Sequence, residues 1–234
     1  MKKFKIPKKP VKEGFNLGNI RMLLIGPYKI GKSSFASKFN NTLFLDAEKG
    51  LKRLKVRKWK MRNWKDFCDG VDQITDDPED IKTVVPDTIS TLYKFCLQYC
   101  NKKYRMTHPS DHKWGKGWDI LRQEFEKPIL KLITSNLGVI FISHEKEVEV
   151  TEIGNLKYIK YTSNLPNQAR EVIMPLVDII GHCYMHDVGS KNKVKERVYI
   201  SFKKSKKTDA GDRTGLLPEK MPLNYEKFKK YFKQ

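Results

Sequence analysis

Eight residues, Gly26-Pro27-Tyr28-Lys29-Ile30-Gly31-Lys32-Ser33, fit the spacing G-x-x-x-x-G-K-[ST]. That spacing is a phosphate cradle. Its glycines let the backbone turn tightly, so the N–H groups converge on an anion. Lys32 is placed to reach the β- and γ-phosphates, and the Ser33 hydroxyl to ligate Mg²⁺. A helix expected from Lys32 to about Asn40 adds its positive dipole end. The nucleotide-binding set is thus Gly26 to Ser33 together with Ser34, and the implied cofactors are ATP and Mg²⁺. ATP is the default base, because nothing like the guanine-reading Asn-Lys-x-Asp occurs in the chain. The competing reading is a glycine turn between two core elements. Apolar Met22 to Ile25 before the loop and helix formers after it favour the cradle.

Three further polar residues close apolar runs. Asp87 follows Thr83-Val84-Val85-Pro86, where a carboxylate holds Mg²⁺ opposite Ser33. Pro86 lacks the N–H that a central strand uses, so the strand is expected to stop or pair irregularly there. Asp87 as a helix-entry residue before Thr88 and Ser90 is the alternative. Glu48 follows Thr42 to Ala47 and is placed to orient and deprotonate an attacking water; otherwise it is a solvent-facing acid in a charged turn. His144 closes Val139 to Ser143, where a polar group can sense the γ-phosphate, although a lone histidine is more often structural.

The elements that position these residues follow from periodicity. Arg21–Ile25, Thr42–Asp46, Thr83–Val85 and Val139–Ile142 read as buried parallel strands. Helices are expected over Asn63–Ile74, Thr91–Lys103 (capped by Ser90), Trp118–Leu137 (broken near Pro128 and ended by Gly138) and Pro166–Met174. Glu147 to Tyr161 alternates around Gly154-Asn155 and predicts a β-hairpin. Val177–Gly181 and Arg197–Phe202 read as later strands, Lys203–Arg213 as a basic loop, and Tyr225–Phe232 as a short helix. Strands alternating with helices imply an α/β fold with a mostly parallel sheet flanked by helices, with the phosphate loop at its C-terminal edge. Residues 1–19 read as a basic N-terminal arm and 20–234 as a single domain.

The 234 residues carry 47 Lys+Arg against 27 Asp+Glu, a net charge of +20. That excess favours a polyanionic partner, nucleic acid above all; a solubility surface or a lysine-rich source proteome is the alternative, since the lysines are spread along the whole chain. No apolar run suits a membrane span, and no apolar segment follows the basic start as a signal peptide would require. Four cysteines in a chain this long suggest no disulfide framework, so a reduced cytoplasmic setting is expected. Cys96, Cys100, His108 and His112 have the spacings of a zinc site, but the two cysteines are more simply core residues of an amphipathic helix.

Together, Walker A, Thr42–Leu51 (TLFLDAEKGL) and Val139–His144 (VIFISH) resemble RecA-like recombinase ATPases. More narrowly, the chain is similar to small phage-encoded RecA-core ATPases of single-strand annealing and recombination, AAA-type phage nucleotide-binding proteins. Those share a histidine at the sensor place and a late Asp-Arg-Thr-Gly followed by Leu-Pro, here Asp212 to Gly215 and Leu217-Pro218. The resemblance implies a RecA-like P-loop NTPase core with Lys32, Glu48, His144 and Arg213 as catalytic residues, and Ser33 and Asp87 at the metal. It implies Lys203, Lys204, Lys206 and Arg213 reaching a neighbour's nucleotide in a ring or filament, with a solvated basic loop as the equal alternative. It also implies DNA-facing loops at about 104–118 and 146–160, with Lys113, Trp114, Lys116, Lys146, Lys157 and Lys160 as candidates for backbone tracking.

The expected function is therefore a DNA-stimulated ATPase that binds single-stranded DNA in phage recombination. Its expected partners are further copies of itself and a single-strand DNA-binding protein. A P-loop kinase, a helicase or partition motor, and a non-hydrolysing nucleotide-gated module are the alternatives.

Overall fold

The computed structural model describes residues 6, 8–10, 14–111, 115–190 and 193–232. Its centre is β1 (Arg21–Gly26), followed by the phosphate loop and α1 (Lys32–Ala36). The chain then runs through β2 (Thr42–Asp46), β3 (Arg57–Lys60), α2 (Trp64–Asp76), β4 (Thr83–Asp87) and α3 (Ile89–Lys103). Next come α4 (Lys116–Thr134), β5 (Gly138–Thr151), β6 (Lys157–Ser163) and α5 (Asn167–Leu176). The end comprises β7 (Ile179–Ser190), β8 (Lys193–Ser201), β9 (Gly211–Asp212), β10 (Lys220–Pro222) and α6 (Tyr225–Phe228).

The sheet order is β10-β8-β7-β1-β5-β4-β2-β3, and the six strands from β7 to β3 pair in parallel. The expected α/β fold, a mostly parallel sheet flanked by helices with a β-hairpin, is the observed one. Period-two alternation divides β1 between two cores. Leu23 and Ile25 face the layer of α2 to α5, whereas Met22 and Leu24 face that of α1 and α6. In α4, Leu121, Phe125, Ile129 and Leu132 recur at helical spacing and are fully buried. Each contributes about 1.5–3 kcal/mol as an upper bound.

Several expected boundaries move. The first helix has one regular turn, because Lys38 and Phe39 bond back to Phe35 and Ala36 in the tighter 3₁₀ pattern. Helix α4 starts at Lys116 and runs unbroken through Pro128; the proline only leaves the Glu124 carbonyl without its intrahelical donor. Gly138 opens β5 rather than ending a helix: a Cβ there would lie 3.3–3.5 Å from the carbonyls of Leu17, Gly18 and Lys82. Thr88, not Ser90, stands at the N-cap position of α3, with its hydroxyl donated to Glu48 rather than capping the helix. Strand β3 was unforeseen, since Arg57-Lys58-Trp59-Lys60 has the charges of an edge strand and little apolar signal. The Glu147–Tyr161 hairpin continues β5 without a break, from Glu145 opposite Ser163 to Thr151 opposite Lys157. A second hairpin, β7–β8, likewise runs beyond the strands expected at Val177–Gly181 and Arg197–Phe202.

Candidate active site

Strand β5 lies between β1 and β4, and β4 pairs with β2. The register sets Gly26 beside His144 and Asp46 beside Asp87, so the polar ends form one row under the phosphate loop. Pro86 does not stop β4. Pairing to β2 continues through Leu45–Pro86 and Asp46–Asp87, whereas pairing to β5 skips from Val84 to Asp87. The irregularity expected of a proline falls on one side only, and Asp87 keeps its place at the strand end.

The loop itself needs its glycines. A Cβ on Gly26 would lie 2.5 Å from the Cys183 carbonyl oxygen, and Gly31 sits at φ 106°. The buried Lys32 ammonium donates to the carbonyls of Gly26 (2.7 Å) and Pro27 (2.6 Å). Burial lowers its pKa, while Cys183, Asp87, Glu145 and Glu48 oppose that. Both observations describe an ammonium shielded from water at the phosphate position.

Ser33 Oγ donates to Asp87 Oδ2 at 2.8 Å. Burial raises Asp87 to about 6, with the carboxylates of Glu48 and Asp46 adding to the rise and the Ser33 hydrogen bond opposing it. A half-buried hydroxyl beside a buried carboxylate crowded by negative charge is a donor set that a divalent cation would relieve, so the residues present fit Mg²⁺. When bound, the ion would supply charge neutralisation of the phosphates, held by Ser33 and Asp87.

Glu48 is fixed by three groups. Oε1 accepts from the Thr88 hydroxyl and from Thr91 Oγ1 (2.8 Å), and Oε2 lies 3.3 Å from His144 Nε2. The His144 contact, with Thr88 and Thr91 behind it, holds Glu48 down to about 2 against the opposing effect of burial. Such a carboxylate is ionised at every working pH and is a feeble proton acceptor. What it does well is orient a water. His144 in turn stacks on Tyr28 of the phosphate loop, with ring centroids 3.8 Å apart, and its Nδ1 is buried without a hydrogen-bond partner among the described residues. Below it, Ser143 Oγ and the His144 carbonyl tie the middle of β5 to Ser163 and Asn164 at the foot of the hairpin. A γ-phosphate contact at Tyr28 or His144 would thus be felt by both Glu48 and the hairpin.

The structure therefore brings Lys32, Ser33, Glu48, Asp87 and His144 together. Asp46, Thr88, Thr91 and the Tyr28 stack were not assigned these contacts from sequence. Asp46 had the same signal as Asp87, an acid closing an apolar run; the threonine contacts depend on packing across two loops and left none.

The remaining candidates are placed differently. Arg213 lies at the N-terminal end of β1, the edge opposite the phosphate loop. Its backbone N–H donates to Asp178, whose own N–H bonds Arg21, and its guanidinium donates to the Pro175 carbonyl at 3.0 Å. These contacts tie Arg213 to the segment before β7, away from this chain's own phosphate loop. The motif around it is a closed turn: Asp212 accepts from Thr214 and Leu217. Lys203 pairs with Glu219, and Lys206 with Glu152 at 2.8 Å. Lys157 pairs with Glu149 at 2.8 Å, and Lys160 with the half-buried Asp209 at 2.7 Å. Lys116 opens α4, and Lys146 and Lys204 are exposed. Lys113 and Trp114 lie outside the described residues, as does His112. Cys96 and Cys100 are buried in the core, and His108 bonds Ser110 at 2.6 Å, so these residues do not converge on one point.

Residues 18–214, most of the chain, match the family model described as an AAA domain. No curated protein matches the chain.

Proposed function

The chain belongs to the AAA-domain family, and from that premise we propose an ATPase of RecA-core type that binds single-stranded DNA and acts in phage recombination or annealing. The observation that carries the hydrolytic part is the Glu48 carboxylate, held by Thr88, Thr91 and His144 beside the Ser33–Asp87 pair. In this reading the loop N–H groups and Lys32 bind the triphosphate, Ser33 and Asp87 hold Mg²⁺, and Glu48 orients the attacking water. His144 and Tyr28 report the γ-phosphate to the β5–β6 hairpin. The Asp-Arg-Thr-Gly resemblance and the net charge of +20 support the recombination reading and the DNA partner.

Assembly is part of the proposal: Lys203, Lys204, Lys206 or Arg213 of one copy would face the nucleotide of the next. ATP hydrolysis measured with and without single-stranded DNA, alongside Lys32→Ala, tests the whole. Turnover that rises with DNA and disappears in Lys32→Ala supports it. Turnover that survives the substitution sinks the mechanism, and the absence of any salt-sensitive affinity for single strands sinks the partner.

A further inference from the structure

The β7–β8 hairpin has two unlike faces. Its register pairs Tyr184 with Tyr199, His186 with Arg197 and Val188 with Lys195 on one face. On the other it pairs Met185 with Val198 and Asp187 with Glu196. The acids of the hairpin therefore lie on one side, and its described cations and rings on the other.

On the ring-bearing face the aromatic groups form a continuous row. Tyr161 of β6 lies 6.1 Å from His182, His182 lies 5.9 Å from Tyr184 at an interplanar angle of 8°, and Tyr184 lies 5.8 Å from His186. His186 meets Tyr199 at 4.8 Å and 66°. Tyr184, His186 and Tyr199 are all partly exposed. Beside them stand Lys195 and Arg197, both exposed and without an ion-pair partner among the described residues, and Lys220, whose Nζ donates to His186 Nε2 at 3.4 Å. The row begins next to the nucleotide site, because His182 pairs with Ile25 of β1 and its Nε2 donates to Glu145 Oε2, on the residue after His144, at 2.8 Å. In the neighbouring hairpin Glu149 and Glu152 are taken up by Lys157 and Lys206, and Glu147 has no ion-pair partner among the described residues.

We propose that this face of the β7–β8 hairpin is the surface on which single-stranded DNA lies, its bases against Tyr184, His186 and Tyr199 and its phosphates on Lys195, Arg197 and Lys220. Rings supply sequence-tolerant stacking and the flanking cations supply the backbone attraction, the pair of features that single-strand binding needs. A duplex hides its base faces and gains only the charge contribution. The inference rests on the single-stranded-DNA reading above but moves the contact away from Lys157 and Lys160, whose charges are already paired.

The test is fluorescence anisotropy of a labelled oligo-dT on the full chain, with basal ATP hydrolysis as a control. Tyr184→Ala with Tyr199→Ala is expected to weaken binding by at least about tenfold, while Tyr184→Phe with Tyr199→Phe stays close to wild type. Lys195→Ala with Arg197→Ala alters only exposed positions. It is expected to reduce the steepness of log K against log salt by about 1.4, two phosphate contacts at about 0.7 each. Basal hydrolysis without DNA is expected to be unchanged in all three. If wild type binds oligo-dT and both the alanine pair and the cation pair bind equally well, this placement is overturned while the function stands. If wild type binds no single strand although it hydrolyses ATP, the partner reading falls and this inference with it. Duplex bound as tightly as oligo-dT also overturns the placement.

Discussion

Replacing Glu48 with glutamine separates chemistry from folding. The amide oxygen can keep the two hydroxyl donors, Thr88 and Thr91, that Oε1 accepts. The new NH₂ then faces His144 Nε2 at the position of Oε2, 3.3 Å away, and can donate to it if the imidazole proton moves to Nδ1. What is lost is the charge. Holding Glu48 at about 2 instead of 4.5 corresponds to about 3.4 kcal/mol at 1.36 kcal/mol per unit. The side chain is 34% exposed, so solvent screening brings the expected stability loss to about 1–2 kcal/mol. The protein stays folded.

The rate should respond far more, by about 10²-fold or more in kcat, the usual cost of removing a group that handles the attacking water. Nucleotide affinity should hold within about threefold, because Lys32 and the loop are untouched. Phosphate release under single turnover reports the first quantity, and titration with a fluorescent ATP analogue the second. Turnover within about tenfold of wild type refutes the assignment. So does an equal loss of affinity and rate, which would mean that the site had collapsed. Wild-type hydrolysis should also show no acid limb from Glu48 between pH 5 and 9, since a carboxylate held near 2 is ionised throughout.

The same depressed pKa makes a stability prediction. The Glu48 contribution is fully present above the unfolded-chain value of 4.5 and is lost as pH falls toward 2. Urea denaturation at pH 6 and pH 3.5 should therefore show a smaller acid-induced loss for Thr88→Val with Thr91→Val than for wild type, and identical losses would count against the contact. Gly117→Ala should cost about 2–3 kcal/mol or more in a thermal or urea melt, because its Cβ would lie 2.0 Å from the Pro109 carbonyl oxygen. Gly50→Ala, with nothing within 4 Å, should stay within about 0.5 kcal/mol. Metal analysis should find no stoichiometric zinc, and chelator should leave the melting temperature unchanged. A fall of several degrees would restore the cysteine–histidine site.

Local sequence is enough for the strand-loop-helix cradle, the strands that end in Asp46 and Asp87, the apolar run that His144 closes inside the longer β5, and the α/β order. Each of these is written locally: a glycine pair at fixed spacing, a run of apolar residues buried on both faces, a polar residue where the run stops. It was equally clear about the first hairpin, because alternation around Gly154-Asn155 needs no distant partner. It misjudged Pro128, Gly138 and the cap of α3, where local propensity was overruled by packing: a buried helix tolerates one missing N–H, and Gly138 is small because three carbonyls crowd it.

Tertiary structure alone decided which polar ends meet. That β5 inserts between β1 and β4 is a matter of topology, and it is what sets His144 against Glu48 and next to Tyr28. Charge followed the same rule. From sequence every lysine of a +20 chain was available to an anion. Long-range ion pairs such as Lys160–Asp209 and Lys206–Glu152 withdraw some of them, and the two-residue period of β7 and β8 gathers others beside a row of rings that no local pattern announced.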